Sequence, residues 1–501
     1  MPDPEDDYTP DPRRWKAFTV CLIAGFMALL DVSIVNVALP SIREGLGAGP
    51  SQVQWVVAGY ALSFGLVLVA FGRLGDVRGR RPVFLVGLSL FTLSSAVCGL
   101  APGPNWLVAA RLVQGMAGGM INPQTSGLVQ QLFRGAERGR AFGLLGATIG
   151  LSTAVGPVTG GALIAAFGTD HGWRAVFFVN VPVGILAVVM AWRLLPAPKR
   201  SERRQGLDPV GALLLALALL AVLVPLVESR AHLPVPEWAL LAAGAALLVV
   251  FVAWERRVGA AGGDPMVDLR LFREPSYALG STLGLVYFAG FTAIFFVLAQ
   301  YFQSGLGYSA LESGLAVTPF AVGSAVASGW GGRIVTRVGR PLVVAGLLAV
   351  VVGLAVASWL LGHGPDGVPL GVLVAPALLV AGVGSGLVIA PNITLTLTTV
   401  PVARAGSAGG VLQTGQRIGS ALGVAVVGAV FFARLGAGGT GGGRSAGPAV
   451  DAAAWTPAAR DALTVCVAVV AVALLLAALD VGIGRARQGR ARVSSATSSR
   501  S

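Results

Sequence analysis

Two opposite charges stand where charge is costly. Asp31 lies inside an apolar run that begins at Phe18, and Arg111 lies inside another that begins near Trp106. Glu228, Glu312 and Asp480 fall near the ends of their runs, so Asp31 is the carboxylate set deepest in apolar sequence. A charge within an apolar span is a functional hypothesis by default, because a solvated face would hold it at lower cost. Counted back from Pro40 at 1.5 Å per residue, Asp31 sits about 13 Å below one face of its run. Arg111 lies about 9 Å below the same face by the same rise. At similar depth the two can meet. Proton affinity of a carboxyl rises on burial and falls beside a cation. A pair that separates during a conformational cycle therefore holds a proton with different strength in its two states. The plainer reading is a static bridge between two helices.

Other polar side chains fall within the runs and are candidates to line a cavity: Asn36, Trp55, Tyr60, Gln114, Asn392, Gln413 and Arg417. Arg417 is a second cation in apolar surroundings, flanked by Gln413 and Gln416, and carbonyl pairing would explain it equally well. Aromatic residues in such spans more often pack or anchor at an interface than bind a ligand.

The elements that must position these residues are long and apolar. Runs begin near Phe18, Val53, Pro82, Trp106, Ala141, Ala175, Pro209, Trp238, Tyr277, Leu311, Pro341, Leu370, Ala403 and Ala462, fourteen in all. Each is long enough to span, about 20 residues being what crosses a bilayer's hydrocarbon core. Composition agrees: 55% of residues are hydrophobic and 12% charged, with mean hydropathy +0.77, whereas soluble domains carry about a quarter charged residues. An all-α polytopic membrane protein with fourteen spans is expected, in contact with lipid on its outer faces.

The net charge of +13 does not mark a nucleic-acid partner. Most basic residues fall in alternate links, as in Arg78, Arg80 and Arg81, Lys199 to Arg204, and Arg485 to Arg492. That is the positive-inside bias, and it places both termini in the cytoplasm. Cys21, Cys98 and Cys466 sit within apolar runs and are expected as free thiols. The run after the acidic, proline-rich start is too long for a signal-peptide core and reads as a retained helix.

Between the second and third runs stands a compact charged link, Gly72-Arg73-Leu74-Gly75-Asp76-Val77-Arg78-Gly79-Arg80-Arg81. An echo, Gly332-Arg333-Ile334-Val335-Thr336-Arg337-Val338-Gly339-Arg340-Pro341, follows the tenth run, eight helices later, with Thr336 in place of the acid. The offset divides the chain into a tail (1–17), a six-helix bundle (18–195), two inserted helices (209–254), a second six-helix bundle (277–483) and a basic tail (484–501). Residues 434–460 read as a Gly- and Ala-rich linker, and 256–274 as a link with room for a short interfacial helix.

The first link resembles the loop between the second and third helices of major facilitator superfamily transporters. Gly72, Gly75, Asp76, Arg78, Gly79 and Arg80 carry the resemblance, and Val77 departs from it where a further basic residue is usual. Leu30 to Pro40 is similar to the first-helix signature of the fourteen-helix drug:proton antiporters, with Ser33 in place of threonine. Leu107 to Arg111, with Gln114, Gly115, Gly118 and Gly119, resembles their fourth-helix motif, whose arginine the family links to proton transfer. Gly156-Pro157-Val158-Thr159-Gly160-Gly161 resembles the antiporter motif, with Ser152 for its leading glycine. Gly172-Trp173-Arg174 and Asn180-Val181-Pro182-Val183-Gly184 also match, with Ala175 for an aromatic. The second bundle matches more thinly, through the echo and Gln413 to Gly423.

The resemblance implies a substrate site between paired bundles and proton-driven export of a drug or natural product by a monomer without cofactor or metal. It makes Asp31 and Arg111 the proton-coupling pair. Asp76, near the start of the thirteenth run, would latch the bundles at the cytoplasmic face through the helix dipole; topology marking alone is the simpler alternative. Neither Lys16 nor Lys199 follows the glycine pattern of a phosphate-binding loop, which excludes ATP drive within this chain. A membrane enzyme is disfavoured because His171, His232 and His363 all fall in links. A non-transporting receptor on this scaffold would have no need of Asp31 and Arg111.

Overall fold

A computed structural model describes residues 11–197, 206–227, 236–363, 368–437 and 452–498. The Lys199 to Arg204 cluster, His232 and the core of the 434–460 linker lie outside the described residues. Fourteen α-helices occur among those described. They are α1 (Arg14–Leu46), α2 (Pro50–Arg78), α3 (Arg80–Gly99), α4 (Pro104–Leu132), α5 (Gly135–Phe178), α6 (Asn180–Leu194) and α7 (Pro209–Val227), followed by α8 (Glu237–Ala260), α9 (Pro275–Gln300), α10 (Ala310–Val338), α11 (Arg340–His363), α12 (Leu370–Leu397), α13 (Ala405–Ala437) and α14 (Ala452–Ser498). Within the 256–274 link, Leu269–Arg273 forms a short 3-10 helix.

Among the described residues, eleven helical stretches are long and apolar enough to cross a membrane. The other three helices explain the difference from fourteen runs. The apolar part of α7, Pro209–Pro225, is short, while α4 and α10 are long but fall below the same standard of apolarity. In α4 the cause is Arg111, Gln114, Asn122, Gln124, Gln130 and Gln131. The helix that carries a candidate site is thus among the least apolar. Helix α5 bends at Gly168, where φ is 78°, and the span after the bend runs continuously from His171 to Leu194.

Around a mostly apolar interior, the fold also buries charged and polar side chains and turns large apolar ones outward. Asp31, Arg111, Gln114, Gln124 and Gln130 are buried, while Leu93, Trp192, Val326, Val372 and Leu475 point outward. Large exposed apolar surface needs an apolar partner, and bilayer lipid supplies one. Backbone polar groups are satisfied within each helix, as hydrocarbon requires.

The chain divides into two compact units, one of residues 1–269 with 400–414, the other of 270–399 with 415–501. In the first, α1 packs on α5 and α6, α4 on α2 and α3, and α7 pairs with α8 while touching α2. In the second, α12 packs on α10 and α11, and α14 on α9 and α11.

Two glycine positions set the geometry of the first unit. Gly79 is both the last cap of α2 and the first of α3, at φ 96°, which an L side chain rarely adopts. The link thus turns in one residue. A Cβ on Gly156 would lie 2.3 Å from Ser33 Oγ and 2.4 Å from Ser33 Cβ, so α5 lies directly against α1. Ser33 Oγ in turn donates to the Thr153 carbonyl at 3.2 Å. Gly160 faces Ile34 at 3.0 Å by the same measure, and Gly161 faces open space. Gly156→Val is expected to cost about 1–3 kcal/mol through overpacking and to lower the midpoint of a thermal-shift melt. Gly161→Val should leave that midpoint unchanged.

Candidate functional site

The site grows from four helices of the first unit. Asp31 is presented by α1, Arg111 and Gln114 by α4 one turn apart, Ser95 by α3, and Asn180 by the first residue of α6. Asp31 is 0% and Arg111 1% exposed. Arg111 Nη1 lies 2.5 Å from Asp31 Oδ2 and donates to Gln114 Oε1 at 2.7 Å, while its Nε donates to the Val56 carbonyl at 3.0 Å. The guanidinium carbon stands 4.2 Å from the centroid of the Tyr60 ring, within cation–π range. Tyr60 is fixed in turn by its hydroxyl, which reaches the Ala28 carbonyl at 3.4 Å.

The other carboxylate oxygen is held by amides. Gln114 Nε2 donates to Asp31 Oδ1 at 3.0 Å and Asn180 Nδ2 does so at 2.8 Å. Both amides also reach Ser95 Oγ at 3.1 Å, and Ser95 Oγ donates to the Phe177 carbonyl at 3.0 Å. An unpaired buried charge costs several kcal/mol, and a paired one is tolerated when its remaining lone pairs are filled. Asp31 meets that condition with three N–H donors. An apolar cluster that includes Ile34, Val35, Val56, Leu107 and Trp173 packs beside the network.

At the Gly72 to Arg81 link, a second set of charges meets the start of α13. The Asp76 side chain is wholly buried and lies 3.1 Å from Arg80 Nη2. Asp76 Oδ1 accepts from the Gly406 N–H at 3.0 Å and Oδ2 from the Ser407 N–H at 2.8 Å. These are among the N–H groups that a helix leaves unpaired in its first turn, where the dipole favours an anion. Arg80 closes the arrangement by donating to the carbonyls of Gly127 at 2.7 Å and Val402 at 2.5 Å. A Cβ on Gly72 would stand 2.5 Å from the Gly406 carbonyl oxygen, so only glycine admits this approach. Gly75 faces Gln124, and Arg78 is exposed.

The remaining candidates are dispersed. Asn36 is exposed on α1; Trp55 is half-buried on α2, one residue before Val56. Gln413 donates to Ser126 Oγ at 3.2 Å. Arg417 is half-buried on α13 in the second unit. Asn392 is buried, accepting from Arg340 at 2.9 Å and donating to the Gly280 carbonyl at 2.9 Å. Arg340, in the echo, also pairs with Asp480 at 2.7 Å. The echo lacks an acid at Thr336, and this unit draws one from α14 instead. No cluster of three or more metal-ligating side chains occurs among the described residues.

Ser95 and Asn180 join the site without having been singled out from sequence as site residues. Asn180 stands in the Asn180 to Gly184 motif, which was a usable signal. Ser95 carried none.

Residues 21–424 match the model of the Major Facilitator Superfamily. The chain belongs to the major facilitator superfamily. It is a multi-pass membrane transport protein. Among curated relatives, it is 40% identical to a probable actinorhodin transporter of Streptomyces coelicolor, covering 86% of this chain and 76% of that one. It is 35% identical to the multidrug resistance protein Stp of Mycobacterium tuberculosis, over 82% of this chain and 75% of Stp. Among solved structures, the human organic anion transporter MFSD10 superposes with a TM-score of 0.65 at 17% identity, covering 93% of this chain and all of that one. That likeness shows the all-α facilitator fold.

Asp76→Asn removes the charge and turns an amide donor toward Gly406 or Ser407. Loss of hydrogen bonds to a charged group of ~2 kcal/mol should loosen the first turn of α13. A cysteine introduced at Ala408, which is buried, in a chain otherwise free of cysteine should then react with a maleimide at least several-fold faster. Equal rates with and without the Asp76→Asn substitution would contradict this role.

Proposed function

We propose that this transporter is a proton-coupled secondary exporter of drugs or other amphipathic small molecules, working by alternating access. The observation that carries the reading is the buried Asp31–Arg111 pair, held inside a membrane span with every oxygen of the carboxylate occupied by a donor. In one state of the cycle the pair is closed and the carboxylate is ionised. In the other, Arg111 withdraws and Asp31 takes a proton. A relative at 35% identity is named a multidrug resistance protein, which supports export over import.

The drive is sufficient. One proton moving down about 100 mV supplies about 2.3 kcal/mol, and each unit of pH gradient adds about 1.4 kcal/mol. The buried acid of the charged link, Asp76, serves as the closing element at the face bearing most of the arginines, taken as cytoplasmic. Fourteen spans, two six-helix bundles with α7 and α8 inserted, both termini in the cytoplasm and a monomeric working unit complete the proposed arrangement. The Gly156 to Gly161 motif, by keeping α5 against α1, holds Asp31 in register.

A narrower reading has a specific basis. The relative at 40% identity is named for one compound, actinorhodin, which favours a dedicated exporter of a single substrate. The two readings share the coupling site and differ in substrate breadth.

Ethidium efflux from energised cells separates them. At matched membrane levels, wild type should extrude the dye and lose this activity with an uncoupler, while Asp31→Asn should retain less than a tenth of the rate. Efflux by Asp31→Asn equal to wild type would refute the coupling role. No ethidium efflux by wild type would shift the conclusion to the single-substrate exporter.

A further inference from the structure

The donors around Asp31 suit one protonation state only. Arg111 Nη1, Gln114 Nε2 and Asn180 Nδ2 all give hydrogen to its oxygens. An ionised carboxylate accepts all three. A protonated one is itself a donor and needs an acceptor in place of one of them. The network contains two amide oxygens able to turn inward, but they are not equivalent. Gln114 Oε1 is already held by Arg111 Nη1 at 2.7 Å and by Cys98 Sγ at 3.6 Å. While the pair is closed, turning Gln114 would break the guanidinium contact, so Gln114 can turn only after Arg111 has withdrawn. Asn180 has no such tie to Arg111; its Nδ2 bridges Asp31 Oδ1 and Ser95 Oγ. A half-turn of this one amide offers its Oδ1 to both.

Resting on the proton-coupling reading above, we infer that Asn180 is the positioning residue that follows the charge on Asp31, giving its N–H to the carboxylate and its carbonyl to the acid. Ser95 completes the exchange. Its hydroxyl now accepts from both amides and donates to the Phe177 carbonyl. When Asn180 turns, the same hydroxyl swings its proton from Phe177 to Asn180 Oδ1. No bond is made or broken beyond the proton on Asp31. Because Asn180 opens α6 and Phe177 lies in the last turn of α5, the exchange occurs at the joint between those helices.

The charged and titratable groups around Asp31 leave this role to Asn180. From α4 comes Arg111, from α3 Cys98, and from α2 Tyr60, which lies against the guanidinium. On α5, Arg174 is held by the Gly99 and Ala101 carbonyls, and Glu137 at the other end pairs with Arg14. Arg193 stands in the last turn of α6. Arg111 holds the closed, ionised pair, and Asn180 turns as that pair opens.

The test reads Asp31 directly, without a transported substrate. Infrared difference titration of the purified protein, with Asp31→Asn as the reference, reports the pH at which the Asp31 carboxyl stretch appears. Asn180→Leu keeps the shape and removes both the donor and the acceptor. The donor bond to a charged group is about twice as strong as a neutral one, so the ionised form loses more. The midpoint should move upward by about 1 pH unit, and Ser95→Ala should move it the same way by less. If Asn180→Leu does not give a monodisperse protein, Ser95→Ala carries the test. An Asp31 band whose midpoint is unchanged in both variants overturns the inference and leaves proton coupling standing. A wild type without the band, and an Asn180→Leu variant with it, supports the inference. No Asp31-dependent band in any of these proteins between about pH 4 and 10, a range spanning carboxyl to phenol reference values, overturns both.

Discussion

A carboxylate and a guanidinium sealed inside apolar helices govern the architecture of the first unit. Neither charge is stable there alone, because hydrocarbon offers no solvation and the penalty is several kcal/mol per ion. The two must meet, and the residue lost from each apolar run must be surrounded by polar groups from other helices. The close approach of α1 to α5 through Gly156, the placement of Tyr60 behind Arg111 and the convergence of Gln114, Ser95 and Asn180 all serve that requirement. The low apolarity of α4 follows from it too. A sequence selected only for spanning a bilayer would have no reason to hold these residues.

The charged link shows the same physics at the membrane's edge. Asp76 is buried by pairing not with one cation but with two N–H groups at a helix start and with Arg80. Such an arrangement is stable only while α13 keeps its first turn in place. An ion held by fixed dipoles costs little to keep and much to half-remove, which is the property a closing element needs. In the second unit, Arg340 of the echo meets Asp480 and Asn392 instead. The repeat preserves the arginine and replaces its partner.

Asp31 and Arg111 were legible in the sequence because charges within apolar runs are rare, and helical rise alone put them at similar depth. Asp76 was legible as an acid near the start of the thirteenth run. What the sequence withheld was partner choice. Ser95 is one of several small polar residues in α3, and nothing in its spacing distinguishes it from Ser94, which donates to Phe91 of its own helix. Asn180 was visible only as part of a motif, since its contact with Asp31 spans 149 positions. Asn392 reads as a polar residue in a span, and its burial against Arg340 depends on how α11 and α12 pack. The sequence reads as fourteen apolar runs, and among the described residues eleven stretches meet the length and apolarity of a span. Polar residues that serve the interior lower a helix's apolarity without moving it out of the fold.

The central claim is that Asp31 carries the coupled proton, beyond holding α1 to α4. Purified wild type and Asp31→Asn in proteoliposomes separate those roles, with ethidium as the transported probe. Exchange of labelled for unlabelled ethidium across the membrane needs the conformational cycle but no proton gradient, whereas accumulation against a concentration gradient needs both. The account predicts that Asp31→Asn retains exchange and loses accumulation driven by a pH gradient. Accumulation by Asp31→Asn at the wild-type level would contradict it.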